Sequence, residues 1–93
     1  MVEDFVVLAD TIGIIAGILV LSSFIPQLHK AYKTKRMLDV SIYLMGLLAS
    51  GLFLWVIYGI IREDPVIIGT NVSGFILNVI LLILKLKYDK LHK

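Results

Sequence analysis

The chain has 93 residues, of which 59% are hydrophobic and 17% are charged, and its mean hydropathy is +0.97. A soluble domain this short buries only a small fraction of its surface. The excess apolar surface must therefore face lipid or another protein. The net charge of +2 is too small to indicate a nucleic-acid partner, and the absence of cysteine excludes disulfides.

Three uncharged apolar runs cover most of the chain, at residues 11–28, 41–61 and 66–84. With a rise of about 1.5 Å per residue, each run is about 27–32 Å long and matches a hydrocarbon core of about 30 Å. The N-terminus is acidic and lacks the positive charge that opens a signal peptide, so we expect no cleaved signal. The sequence predicts an all-α membrane protein with a single domain, residues 1–93, and three transmembrane helices at about 9–29, 41–61 and 66–87.

The first helix carries two features that affect its geometry. Gly13 and Gly17 form a GxxxG pattern, which permits close approach of a neighbouring helix. Pro26 cannot donate a hydrogen bond to the Ser22 carbonyl, so we expect a kink, with a serine, Gln27 or water replacing the lost donor. The alternative is that the proline simply ends the helix at the membrane interface.

Polar and aromatic residues share one face on each of the other two helices. The second helix holds Trp55, Tyr58 and Arg62 at i, i+3 and i+7, and the third holds Asn71, Gly74 and Asn78 at the same spacing. Trp55 and Asn71 each lie about 6 Å to the same side of the centre of their runs, which predicts one common level. For Asn78 we expect a hydrogen bond between helices.

An aromatic plate beside an amide is suited to a sugar, because indole stacks on the apolar face of a pyranose and an amide both donates and accepts hydrogen bonds. The same pair suits other small, neutral, polar solutes. No Asp, Glu, Lys, Arg or His lies within the three runs, so we expect solute movement without proton coupling. His29 and His92 lie at or beyond helix ends with no metal-ligand spacing, and no catalytic motif is present, so we expect no enzyme activity, metal or cofactor.

Basic residues are concentrated on one side of the predicted membrane. Four lie between the first two helices and four follow the third: Lys30, Lys33, Lys35 and Arg36, and Lys85, Lys87, Lys90 and Lys93. The opposite side has only Arg62. This asymmetry predicts an outer N-terminus and a cytoplasmic loop and C-terminus, with most of these charges acting as solvated anchors.

The motifs together resemble a known family. Pro26-Gln27 is similar to the PQ-loop signature, and the segment Trp55-Val56-Ile57-Tyr58-Gly59 with Asn71 resembles the bacterial SemiSWEET sugar transporters, over residues 9–87. The resemblance implies a half-transporter bundle that pairs as a parallel homodimer in the bacterial inner membrane. It further implies a uniporter that moves sugars of the glucose or sucrose class down their gradient by alternating access.

The resemblance also implies roles for individual residues. Trp55 and Asn71 would bind sugar; Tyr58, Arg62 and Asp64 would form the extracellular gate; Pro26 and Gln27 would form the hinge; and Phe24, Met37 and Tyr43 would form the intracellular gate. Two alternatives remain open from the residues. One is a PQ-loop carrier of another small polar solute, and the other is a structural or pore-forming membrane protein that transports nothing.

Overall fold

The computed structural model describes residues 1–92 and contains four α-helices. They are α1 (Val2–Ser22), α2 (Phe24–Thr34), α3 (Ile42–Ile61) and α4 (Pro65–Leu91). α1 and α2 together form one apolar stretch long enough to cross a membrane, and α3 and α4 form two more. The predicted all-α fold with three candidate transmembrane spans is confirmed.

The helix bounds differ from the predicted ones mainly in the first span. α1 begins at Val2 rather than near residue 9, and Glu3 and Asp4 in its first turn complement the positive N-terminal end of the helix dipole. α3 begins at Ile42 because the Ser41 hydroxyl accepts a hydrogen bond from the Leu44 N–H at 3.2 Å and caps the helix. α4 continues to Leu91, four residues beyond the predicted end.

The first span is interrupted at Ser23, between α1 and α2. Pro26 lies in the first turn of α2, where a missing N–H leaves no helical bond unmade. The Ser23 hydroxyl donates to the Val20 carbonyl, and the Gln27 side-chain amide donates to the Ser23 carbonyl at 3.3 Å. Since α2 continues to Thr34, the proline lies beside an interruption of the span without ending it. The two side-chain bonds go to the Val20 and Ser23 carbonyls rather than to the Ser22 carbonyl that was expected to need a new donor.

α4 is the central helix of the bundle. It packs against α1, α2 and α3, whereas no Cα atoms of α1 and α3 come within 8 Å of each other in residues 1–92. α1 runs parallel to α4, since Gly13 lies against Val66 and Gly17 against Thr70. The Cα trace measures 58 × 23 × 14 Å, so the bundle is elongated along its helices and wider in one direction than in the other.

The GxxxG pattern of α1 is used within the chain. A Cβ atom built on Gly17 would overlap the Thr70 side chain, and one on Gly13 would lie 3.1 Å from Val66 Cγ1. The two glycines therefore allow α1 and α4 to pack closely.

The buried core lies at one end of the bundle. Its apolar members are Phe24, Ala31, Met37, Met45, Leu81 and Tyr88. This end holds residues 35–41, which connect α2 to α3, and we call it the loop end. The opposite end, with residues 62–64 between α3 and α4, is the hairpin end. α1 contains no buried residue, so its apolar surface faces lipid or another protein.

Candidate functional site

A cavity of about 470 Å³ lies on one side of the bundle. α1, α2 and α3 form its walls, α4 forms its floor, and residues of the α2–α3 connection line its loop end. The backbones of α1 and α3 are not packed against each other, and the cavity lies between them. Its lining is mostly apolar with a few amides and hydroxyls, a composition typical of sites for small organic molecules.

Asn71 presents an amide to this cavity from α4. Its Nδ2 atom donates to the Ile67 carbonyl at 2.8 Å and lies 3.4 Å from the Thr70 hydroxyl oxygen. Both partners belong to its own helix, and its Oδ1 atom accepts no hydrogen bond from the described residues. The amide is therefore oriented by α4 and keeps an acceptor available for a ligand.

Asn78, two turns away on α4, has a different environment. Its side chain is 1% exposed, and Nδ2 donates to the Met45 carbonyl of α3 at 2.9 Å. This is the bond between helices that the sequence predicted for Asn78. It links α3 to α4 beneath the cavity.

Trp55 lies at the level of Asn71. Gly74 of α4 lies opposite Leu52 of the antiparallel α3. Three residues closer to the hairpin end, α4 has reached Asn71 and α3 has reached Trp55, so these two residues lie at the same height. The Trp55 ring packs edge-on against Tyr58, with centroids 5.3 Å apart, and the residue is 53% exposed.

Trp55 and Asn71 do not line one cavity within the chain. Trp55 lines a separate, shallower groove of about 290 Å³ with Gly51, Leu54 and Tyr58. Around α3, however, Trp55 lies within about 20° of the cavity-lining Leu44 and Leu48, so it extends the same helical face toward the hairpin end. The structure brings the two residues to one level on one side of the bundle, with the indole outside the cavity.

The hairpin end holds the three residues expected to form a gate. Tyr58 and Arg62 are exposed, and Asp64 is half-buried. Asp64 Oδ1 accepts hydrogen bonds from the N–H groups of Val66 at 3.0 Å and Ile67 at 3.2 Å, which makes Asp64 the N-cap of α4. Within residues 1–92, Arg62 makes no ion pair. Asp64 thus has a structural role in addition to any role in gating.

The three residues expected to form the inner gate occupy different environments. Phe24 and Met37 are buried and line the loop end of the cavity. Tyr43 is 83% exposed and lines none of the cavities described above. The hinge residue Gln27 also lines the main cavity, whereas Pro26 does not.

Lys85 is the residue whose environment differs most from the expected one. Basic residues of the C-terminal segment were expected to be mostly solvated, but Lys85 is 5% exposed. Its ammonium donates to the Met37 carbonyl at 2.9 Å and to Asp89 Oδ2 at 2.7 Å. The available sequence signal was the i, i+4 spacing of Lys85 and Asp89 directly after the apolar run.

A three-span bundle with a first span interrupted at Ser23 and a cavity between its helices defines a small α-helical membrane protein with a solute-sized site. The family model described as PQ loop repeat matches residues 8–68. The chain belongs to the PQ-loop repeat family.

Similar proteins cover nearly the full chain. It is 38% identical over 73 residues to the sugar transporter SemiSWEET of Leptospira biflexa, covering 77% of this chain and 86% of that protein. It is 32% identical over 81 residues to the sugar transporter SemiSWEET of Bradyrhizobium diazoefficiens, covering 87% of this chain and 94% of that protein. An uncharacterized protein of Methanocaldococcus jannaschii is 38% identical over 82 residues, or 88% of this chain and 87% of that protein.

A solved structure shares the fold. The crystal structure of a bacterial homologue of SWEET transporters superposes with a TM-score of 0.84 at 38% sequence identity, covering 87% of this chain and 98% of that chain. The resemblance to the SemiSWEET proteins that the sequence motifs indicated is therefore confirmed.

Proposed function

We propose that this chain is a sugar transporter that moves small sugars of the glucose or sucrose class down their gradient. The observation that carries the proposal is the cavity, into which Asn71 presents an oriented amide with a free acceptor at the level of Trp55. Relatives that cover most of the chain bear the name sugar transporter, which supports the same solute class. We expect no enzyme activity and no cofactor.

The working unit we propose is a parallel homodimer. α1 buries no residue within the chain, and the cavity lies between α1 and α3, whose backbones are not packed against each other. A second copy related by a two-fold axis along the membrane normal would cover both surfaces and would place two Trp55 rings and two Asn71 amides around one sugar. The dimer thereby joins groups that one chain keeps in separate cavities.

Alternating access would use the two ends of the bundle. At the hairpin end, Tyr58 and pairs between Arg62 and the Asp64 of the other copy would close the path. At the loop end, Phe24 and Met37 already line the cavity, and Tyr43 would contribute from its exposed position. The break beside Pro26 and Gln27 is the proposed hinge. We place the hairpin end outside and the loop end in the cytoplasm of a bacterial inner membrane, as the basic residues indicate.

The function is tested by uptake into liposomes. We expect the purified protein to show saturable uptake of radiolabelled glucose or sucrose, unaffected by an imposed pH gradient. Asn71→Ala should reduce the ratio of maximal rate to KM about five- to tenfold, because a lost hydrogen bond is worth about 0.5–1.5 kcal/mol.

Ser73→Ala is the matched control for Asn71→Ala. Ser73 is also on α4 and donates only to a carbonyl of its own helix, Gly69, at 2.8 Å. It lines a groove on the α1 side that excludes Asn71, so its loss should leave uptake unchanged. Folded, dimeric protein that carries neither sugar would contradict the sugar proposal. Uptake that never saturates would favour a pore, and acceleration by a pH gradient would contradict uncoupled transport.

Asp64 offers a way to separate the proposed gate from helix capping. Asp64→Asn keeps an oxygen that caps α4 but loses the charge, so we expect unchanged thermal stability and a two- to fivefold lower maximal uptake rate, since exposed ion pairs are worth about 0.2–1 kcal/mol. Asp64→Ala should additionally lose about 1 kcal/mol of stability. Wild-type uptake by Asp64→Asn would show that the charge plays no part in gating.

A further inference from the structure

The buried Lys85 ammonium connects α4 to the α2–α3 connection. Its Nζ atom lies 2.9 Å from the Met37 carbonyl and 2.7 Å from Asp89 Oδ2, and its side chain is 7% exposed. A lysine near a membrane interface normally extends its ammonium into water. Here the ammonium lies within the bundle, although burying a charge is unfavourable unless it is paired and hydrogen-bonded. Anchoring the helix end does not require this arrangement.

The bond to Met37 constrains a residue that lines the cavity. The Met37 side chain is 4% exposed and lies at the loop end of the cavity beside Phe24, while the Met37 carbonyl faces Lys85. α2 has already ended at Lys35, whose φ is 53°, so the Met37 carbonyl is held by Lys85 together with a turn hydrogen bond from the Val40 N–H at 3.2 Å rather than by a helix. A second contact, from His92 Nε2 to the Lys35 carbonyl at 2.9 Å, joins the same connection to the end of α4.

We propose that Lys85 is a positioning residue for the inner gate, acting through Met37. By holding the Met37 carbonyl against α4, Lys85 keeps the Met37 side chain across the loop end of the cavity, and opening of that end requires the bond to break. The role of Lys85 in transport rests on the proposed function. The closure of the loop end by Met37 does not depend on which solute is carried.

The test measures access to the cavity from each side. The chain has no cysteine, so Leu48→Cys introduces a single reporter on the cavity wall formed by α3. A membrane-impermeant maleimide is applied to inverted vesicles, which expose the loop end, and to right-side-out vesicles. We expect Lys85→Met to raise the labelling rate from the loop end at least tenfold, as expected for loss of one hydrogen bond from a charged group, without raising it from the hairpin end.

Two further variants make the result decisive. Lys87→Met removes a neighbouring charge from an exposed position and should leave both labelling rates unchanged. Lys85→Met combined with Asp89→Asn avoids leaving a carboxylate without its partner and should reproduce the one-sided increase if the single variant folds poorly. Equal labelling in Lys85→Met and wild type, or an equal increase from both sides, would overturn the proposal and leave Lys85 a structural residue.

The labelling and uptake results are independent. One-sided labelling in a protein that carries neither glucose nor sucrose would support the positioning role while the proposed solute fails. Saturable sugar uptake with unchanged labelling would support the transporter and overturn the role of Lys85.

Discussion

Trp55→Ala is expected to reduce the ratio of maximal uptake rate to KM at least tenfold. An aromatic contact contributes about 0.5–1.5 kcal/mol beyond its buried area, and the proposed two-fold axis places two indoles around one sugar. In a homodimer the single change Trp55→Ala removes both indoles, so the two losses of binding free energy add. The measurement is concentration-dependent uptake of labelled sugar into liposomes.

Trp55→Phe is the control for this result. It keeps a flat apolar ring on the same face of α3, so most of the uptake should remain. The fold should tolerate both changes, because Trp55 is 53% exposed and Tyr58 is its aromatic partner within the chain. Unchanged thermal unfolding would establish that lost uptake reflects the site. Saturable uptake by Trp55→Ala at the wild-type rate would show that the indole is no part of the pocket.

Gly17→Ala is expected to lower the free energy of unfolding by about 1–3 kcal/mol, the usual cost of forcing extra volume into a packed contact. The added methyl group would overlap the Thr70 side chain, and its Cβ would lie 3.1 Å from Thr70 Cβ. α1 must then move away from α4, and Gly17 and Thr70 both line the main cavity. Thermal unfolding in detergent micelles measures the effect.

Gly69→Ala provides the comparison, because a Cβ built on Gly69 meets no atom within 4 Å. Alanine is the better helix former by about 1 kcal/mol, so this variant should unfold at the same temperature as wild type or slightly higher. Equal stability of Gly17→Ala and Gly69→Ala would contradict the close packing of α1 on α4.

The number and position of the spans could be predicted because hydrophobicity is a local property. Each apolar run is as long as a bilayer core is thick, and the helices follow from the need to satisfy every backbone group in lipid. The interruption near Pro26 was also predictable, since proline lacks an N–H wherever it occurs. The sequence left open whether the helix ends there, and the structure places the break at Ser23 and continues α2 to Thr34.

The candidate site was only partly predictable. Helix rise placed Trp55 and Asn71 at one level, but spacing along a chain does not determine how far helices turn toward each other. In the structure Asn71 lines the main cavity and Trp55 lines the neighbouring groove. Their joint role in binding remains a prediction that depends on a second copy of the chain.

Charged residues show most clearly which features a local sequence pattern can predict and which depend on the tertiary structure. Lys85 and Lys87 are two residues apart in the C-terminal segment, yet Lys85 is buried against the Met37 carbonyl and Lys87 is exposed. Asp89 is a local partner of Lys85, but the Met37 carbonyl is 48 positions away in the sequence, so no local pattern could identify that second partner. Asp64 likewise takes its capping role from the turn that its backbone adopts.

The amino-acid sequence by itself determined the three spans, their charge asymmetry and the proline-interrupted first span, because these follow from hydrophobicity, charge and backbone chemistry at each position. The tertiary structure alone decided that α4 is central, that the GxxxG glycines face it, that a cavity lies between α1 and α3, and that Lys85 is buried. Those features depend on which helix faces meet, and that choice minimises unsatisfied polar groups and voids over the bundle as a whole.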